Sequence, residues 1–358
     1  LLPAPCSLLT YTARMNMSAC TIAVIGDGQM GLVMADAFAV RGCATRVFSP
    51  FEDAARSLLE TRTTSRLPGF HVEESIVITA DPQTALDGAD LIVNAIPTQF
   101  TRAVWEKLAP HDRTPAEAAP IVSVTKGIEQ STLRRPSQVI AEAVGDDPAA
   151  PQRDIAVLSG PTIAAELARR LPATMVVAAS NEALTHLVQD ACNVPWLRVY
   201  RHDDIIGVEL AGATKNVIAL AAGIVDGLDI GDNAKSALLA RGLAEIARLG
   251  VALGAKVDTF FGVAGVGDLA TTCFSPEGRN RTCGERLGRG ETLEHILATT
   301  ESVVEGVPTS RALREVAKAH EVDMPIAFAV HAILFEGKTP ADAIQDLMGR
   351  ELKAERIG

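Results

Sequence analysis

The chain has 358 residues, enough for two domains that each bury a core of their own. Hydrophobic residues make up 47% and charged residues 22%, a globular balance, and aromatics at 4% point to a core of Leu, Val, Ile and Ala. A formal charge of −11 argues against general affinity for nucleic acid or anionic membrane, while a small anionic ligand needs only a few local lysines and arginines.

Residues 1–19 begin with a short apolar stretch that is interrupted by prolines and lacks a basic start. That is a poor signal peptide, so a loose N-terminal extension is expected, with Met15 or Met17 as alternative starts. Six cysteines (6, 20, 43, 192, 273, 283) are scattered without a CxxC pair. This suggests reduced thiols in a cytoplasmic protein, with neither a disulfide framework nor a metal site. No apolar run approaches the ~20 residues that span a bilayer, so no integral membrane contact is expected.

"TIAVIG" (21–26) is a short β-branched run that stops at glycine, and "GQMGLVMADAFAVRG" follows with helical spacing. "ATRVFS" (44–49), "LIVNAIP" (91–97), "PIVSVTKG" (120–127) and "DIAVLSGP" (154–161) read as further strands. Helix-like segments at 51–61, 99–109, 131–144 and 162–169 lie between them. Strands that are apolar throughout and alternate with helices predict a parallel, doubly wound sheet covered on both faces. "ATMVVAAS" (173–180) and "LRVYRHDD" (197–204) are the last strand-like pieces. Beyond them only helical patterns occur, at 205–225, 234–254, 279–287, 291–298, 308–319, 325–336 and 339–348. The expected organisation is an α/β domain over 20–203 followed by an all-α domain over 204–358. No low-complexity linker separates them, which implies close docking around a cleft.

"GDGQMG" (26–31) fits G-x-G-x-x-G and both closes a strand and opens a helix, the context that a dinucleotide fingerprint requires. Gly26 permits the tight turn, Gly28 lets a pyrophosphate approach the backbone, and Gly31 lets the helix pack on the sheet. The cofactor choice is left open, because the end of the second strand carries Ser49 and Pro50, with Glu52 and Asp53 only slightly later.

"GVELAGATKNVIALAAGIVDGL" (207–228) has Lys215 as its only charge between Glu209 and Asp226. Desolvation would lower the pKa of such a lysine towards proton transfer near neutral pH, whereas a snorkelling stem would make it plain structure. "TKGIE" (125–129) puts Lys126 just past a strand end, on the rim where such sheets bind ligands, and "SGPT" (159–162) follows a strand on the same rim. "GVAGVGDLATTC" (262–273) places Asp268 in a glycine-rich loop. "GRNR" (278–281) offers two arginines at a helix start, a phosphate receptor by chemistry. Each of these taken singly is also compatible with solvated surface.

The ordered set GDGQMG (26–31), TKG (125–127), SGPT (159–162), GVELAGATKNV (207–217), GVGDL (265–269), RNR (279–281) and VVEG (303–306) resembles the bacterial-type NAD(P)-dependent glycerol-3-phosphate dehydrogenases, over roughly 20–355. The resemblance implies interconversion of sn-glycerol 3-phosphate and dihydroxyacetone phosphate with NAD or NADP, supplying glycerol 3-phosphate for glycerophospholipid synthesis. It implies that 20–203 is a Rossmann-like dinucleotide-binding domain and 204–358 a helical substrate and catalytic domain, with the site between them and Lys215 as the proton-transfer residue. Lys126, Gly160, Thr162, Lys215, Asp268, Gly278, Arg279 and Asn280 match positions that line the substrate. Gln29, Met30, Pro50, Phe100, Lys126, Ala164, Arg279, Val303 and Glu305 match positions that touch the dinucleotide. A small three-carbon phosphoester is the implied partner; a homodimer is compatible, and the residues leave the oligomeric state open.

Three positions depart from the family pattern. Pro50 stands where NADP-preferring members carry a basic residue, Gly278 where a small polar residue is common, and Arg66 where an aromatic is frequent. The alternatives are a two-domain dehydrogenase of the 6-phosphogluconate or β-hydroxyacid type, which also carries a lysine on its long helix, and a non-catalytic nucleotide sensor. The TKG, GVGDL and RNR set favours glycerol 3-phosphate, and the presence of both Lys215 and Asp268 speaks against a sensor.

Overall fold

The computed structural model describes residues 19–114, 117–300, 302–352 and 354. The expected N-terminal extension therefore lies outside the described residues but for Ala19, and so does Cys6. Eight strands form one sheet: β1 (Thr21–Ile25), β2 (Ala44–Phe48), β3 (Val77–Thr79), β4 (Leu91–Asn94), β5 (Ile121–Ser123), β6 (Ile155–Ser159), β7 (Ala173–Ala178) and β8 (Leu197–His202). Their order is β3-β2-β1-β4-β5-β6-β7-β8. Every neighbouring pair is parallel except β6–β7, which is antiparallel, so the parallel pattern breaks once.

Helices α1 (Gln29–Val40), α2 (Glu52–Thr61), α3 (Pro82–Leu86), α4 (Thr98–Leu108), α5 (Pro136–Ala143), α6 (Ala164–Ala168) and α7 (Glu182–Ala191) flank the sheet. The strands are apolar throughout because both faces are covered. Ile22 and Val24 of β1 enter one core cluster with Leu32, Met34 and Phe38 of α1, while Ala23 and Ile25 enter another with Trp105 of α4 and Ile140 of α5. Alternate side chains of a strand point to opposite faces, so one pentapeptide serves two cores.

In the sheet domain β3, α3 and α7 lack a counterpart in the sequence reading. β3 is a three-residue edge strand with Val77 exposed, too short for a periodic signal. α3 is a five-residue turn capped by Asp81. α7 carries a legible start, since Asn181 caps it by accepting from Ala183 N. The helix expected over 131–144 starts only at Pro136, because Leu133 has φ 61° and proline occupies the first helical position.

From Asp204 onward the described chain is helical: α8 (Ile205–Gly227), α9 (Asp232–Ala252), α10 (Asp268–Phe274), α11 (Arg279–Gly288), α12 (Leu293–Ala298), α13 (Gly306–Ala319), α14 (Pro325–Phe335) and α15 (Pro340–Met348). The Asp204 carboxylate starts α8 by accepting from Gly207 N at 2.8 Å, and also accepts from Lys256 N and Thr259 Oγ1. α8 is buried from Gly207 to Val225 on every side, as expected for a helix that is apolar all round. By length and mean hydropathy (1.5) it could cross a membrane, which corrects the expectation that no segment approaches that length. Its most apolar window is 89% buried inside the protein: the other helices, rather than lipid, cover it.

α8 and α11 cross at backbone contact. A Cβ on Gly284 would come within 2.0 Å of Leu220 O, and one on Gly223 within 1.9 Å of Arg281 O. Neither carbonyl can move without disturbing its helix. Gly284→Ala is therefore expected to destabilise the fold despite the better helix propensity of alanine, by about 1–3 kcal/mol from overpacking. An unchanged urea midpoint would show that the helices do not cross so closely.

Candidate active site

The glycine loop joins β1 to α1 as the dinucleotide fingerprint requires. Gly26 has φ 119°, a conformation that favours glycine, and a Cβ on Gly31 would lie 2.1 Å from Gly26 O. A Cβ on Gly28 would meet nothing within 4 Å, so open space lies above the helix start. The first turn of α1 has no side-chain cap, and its earliest backbone bond is Leu32 N to Gly28 O. The N–H groups of Gln29, Met30 and Gly31 thus stand at the positive end of the helix dipole, where the diphosphate of a dinucleotide fits.

Across the cleft the two domains meet at a shared carboxylate. Lys126, from the loop after β5, donates to Asp268 Oδ2 at 2.7 Å and to Gly160 O at 3.0 Å. Lys215, from the middle of α8, donates to Asp268 Oδ1 and contacts Thr272 Oγ1 at 2.5 Å. Ser159 Oγ lies 3.4 Å from Asp268 Oδ2, and Thr162 Oγ1 donates to Gly160 O at 3.0 Å. Asp268 is not in a loop, as its glycine-rich context had suggested. A π turn, Val263–Gly267, delivers it as the first residue of α10. Thr272 then stands one helical turn on, on the same face.

Burial lowers the Lys215 ammonium to about 8, with Lys126 adding to the effect and Asp268 opposing it. Burial alone would raise the Asp268 carboxyl, but the charges of Lys126 and Lys215 overcome it and hold it below the usual range. Two ammonium groups on one carboxylate leave an excess positive charge at the cleft floor.

Arg279 opens α11 and makes no hydrogen bond or ion pair among the described residues. It keeps exposed surface, yet crowding by protein draws its guanidinium below the ordinary value, with Glu305 opposing. The second arginine of the motif is not available as a phosphate receptor. Arg281 pairs with Asp226 at 2.6 Å and Glu285 at 3.2 Å, bracing α11 against α8. Asn280 also has structural partners, since its Nδ2 donates to Asn216 Oδ1 at 3.0 Å and its Oδ1 accepts from Gly306 N at 2.8 Å. Gly278 is the residue before α11, so only backbone is offered there.

Glu305 ties the helical domain to the start of α4 by accepting from Thr98 N at 2.9 Å. Its Oε2 is shielded from solvent and lacks a partner among the described residues. Burial raises this carboxyl to about 7, with the Thr98 N–H and Arg279 opposing. Val303 and Phe100 expose apolar surface, while Pro50 follows β2 and Ala164 begins α6. Gln29 donates to Arg66 O, which links the glycine loop to the α2–β3 connection.

Sequence reasoning missed Ser159, Asn216 and Thr272. Thr272 was legible in principle: it lies four residues after Asp268, but that spacing means proximity only on a helix. Asn216 had no signal beyond its place beside Lys215.

The glycine loop and uncapped helix start on one domain, with a helical domain joined to the same sheet through Lys126–Asp268 and Thr98–Glu305, define a two-domain pyridine-nucleotide dehydrogenase. The family profile described as NAD-dependent glycerol-3-phosphate dehydrogenase N-terminus matches residues 21–185, and that described as the C-terminus matches 204–345. The chain belongs to the NAD-dependent glycerol-3-phosphate dehydrogenase family. It is 44% identical to the NAD(P)+ glycerol-3-phosphate dehydrogenase of Thermobifida fusca, over 94% of this chain and 99% of that one. It is 42% identical to the second such enzyme of Salinibacter ruber, over 94% and 96%. The crystal structure of glycerol-3-phosphate dehydrogenase from Coxiella burnetii superposes with a TM-score of 0.87 at 33% identity, covering 93% of this chain and all of the other.

The pKa of Lys215 depends on the charge of Asp268. Asp268→Asn removes the contribution that opposes burial and is expected to move the lysine's titration from about 8 to lower pH. If the Lys215 ammonium is the proton donor in carbonyl reduction, the alkaline limb of kcat/KM should shift in the same direction. A limb that stays in place would detach it from Lys215.

Proposed function

We infer that this chain interconverts sn-glycerol 3-phosphate and dihydroxyacetone phosphate with NAD(P)+ and NAD(P)H, and that Lys215 moves the proton. The observation that best supports the role of Lys215 is the carboxylate of Asp268 shared between it and Lys126 at the junction of the two domains. The nicotinamide, when bound, accepts or supplies the hydride.

The chain's own residues do the rest. In reduction, the Lys215 ammonium donates to the carbonyl oxygen and stabilises alkoxide character as it develops. In oxidation, its neutral form accepts the hydroxyl proton, a form within reach because burial has lowered it to about 8. Asp268 holds the amine in place and Thr272 fixes its second contact. Lys126 and the Gly160–Thr162 turn shape the floor on the Rossmann side, with Gly278 and Asn280 at the start of α11 on the other. Arg279, free of protein partners among the described residues, supplies a fixed charge and a planar fork for the phosphate. Gly26, Gly28 and Gly31 with the N–H groups of Gln29 and Met30 hold the diphosphate. Pro50, Phe100, Ala164, Val303 and Glu305 border the remainder of the dinucleotide. In the reductive direction the product is the backbone unit of glycerophospholipids, the supply role that fits the family.

An initial-rate assay with dihydroxyacetone phosphate and each reduced nucleotide tests the activity directly. Lys215→Ala is expected to lower kcat by ~10²-fold or more, the scale of lost general acid–base catalysis, while NADH binding persists. Normal turnover in that variant would remove Lys215 from the mechanism. Arg279→Ala is expected to act chiefly on KM for the phosphorylated substrate; an unchanged KM would place the phosphate elsewhere.

A further inference from the structure

The end of the second strand is where dinucleotide folds distinguish a ribose 2′-hydroxyl from a 2′-phosphate. An acidic side chain there accepts from the hydroxyl, and a basic one pairs with the phosphate. In this chain β2 ends into Ser49 and Pro50, neither of which carries a charge. A carboxylate reaches the place from the neighbouring strand instead. Asp27, between the first two glycines of the loop, accepts from Ser49 Oγ through its Oδ2 at 2.9 Å.

Parallel pairing makes that contact. Ile25 of β1 lies in register with Phe48 of β2, and Gly26 N donates to Phe48 O at 2.9 Å, so the residues that follow each strand emerge side by side. The Ser49 hydroxyl is itself held, since it accepts from Phe51 N at 3.3 Å and lies 3.1 Å from Phe51 O. Among the described residues nothing else donates to Asp27, so Oδ1 is left for a ligand, and the side chain is only half-buried.

The charges around it are mostly negative or engaged. Glu52 and Asp53 open α2 just beyond. Arg46 donates to Thr84 O and Asp87 O, Arg62 donates to Ile76 O, and Arg56 pairs with Asp53. Arg66 is exposed, and Lys107 stands with its ammonium 5.9 Å from the centre of the Phe48 ring; these two cations near the end of β2 have no ion-pair partner among the described residues, and neither reaches Asp27. A 2′-phosphate would thus meet a carboxylate held in place by Ser49, whereas a 2′-hydroxyl would find an acceptor.

Resting on the dehydrogenase reading above, we propose that Asp27 is a specificity-determining residue that makes this enzyme prefer NAD(H) to NADP(H). It does so by accepting from the ribose 2′-hydroxyl and repelling the 2′-phosphate.

The test is a fluorescence titration of the purified protein with NADH and with NADPH, repeated for Asp27→Asn, Asp27→Ser and Arg66→Ala. The wild type is expected to bind NADH more tightly by about tenfold or more, the scale of a hydrogen bond to a charged group. Asp27→Asn keeps the shape and an acceptor for Ser49 but removes the charge, and should narrow the preference by roughly tenfold, mostly through tighter NADPH binding. An unchanged ratio in both Asp27 variants would overturn the assignment. So would wild-type protein that binds NADPH as well as NADH, and a loss of that binding in Arg66→Ala would pass the selection to Arg66. Because binding is read without turnover, a protein that fails to reduce dihydroxyacetone phosphate yet shows the expected ratios would sink the dehydrogenase reading and support the role of Asp27.

Discussion

One carboxylate shared by two ammonium groups is the contact on which the site depends. Asp268 is almost wholly buried, and a charge in that position is tolerable only because Lys126 and Lys215 compensate it. Lys126 comes from the Rossmann-like sheet, while Lys215 and Asp268 come from two helices of the other domain. The pairing therefore sets both the domain junction and the local charge. It also explains how a lysine can persist inside an apolar helix: its counter-charge is delivered from α10 rather than from solvent.

The same pairing balances two opposed demands on Lys215. Burial alone would push its pKa down, and a single carboxylate partner would push it up. Here the carboxylate is divided with Lys126, which leaves the amine at about 8 instead of the 10.5 of a free lysine. A value in that range keeps both the ammonium and the neutral amine accessible near neutral pH. Thr272 and the π turn before α10 act on orientation, placing the carboxylate and a hydroxyl on the same side of one short helix.

The glycine loop and the cleft floor use the fold in different ways. At the loop, backbone dominates: the helix start lacks a side-chain cap, and a Cβ on Gly28 would meet only open space. At the floor, charged side chains dominate, and their geometry follows from α8 running through the centre of the helical domain. The glycines of α8 and α11 let those helices touch, which sets Asn280 against Asn216 and turns Arg281 back against Asp226. Glu305 fastens the same region to the start of α4 across the cleft.

The order of apolar strands and helices, the glycine loop at a strand–helix junction and the change to an all-helical pattern near residue 204 were legible from residues alone. Each is a local pattern: periodicity, a turn residue, a missing Cβ. That Lys215 is a solitary charge in an apolar run was also legible, and the structure shows it buried with Asp268 as its counter-charge. What the residues could not decide was which groups meet. Asp268 lies 53 positions from Lys215 and 142 from Lys126, and nothing local says that its two oxygens will be divided between them. Nor does the RNR triplet reveal that its first arginine keeps exposed surface with no side-chain partner among the described residues while its last is held by an acidic residue of α8. The antiparallel β6–β7 pair, the three-residue edge strand and the Asp27–Ser49 contact belong to the same class. They depend on which strands lie side by side, and that is settled by packing over the whole chain rather than by any segment of it.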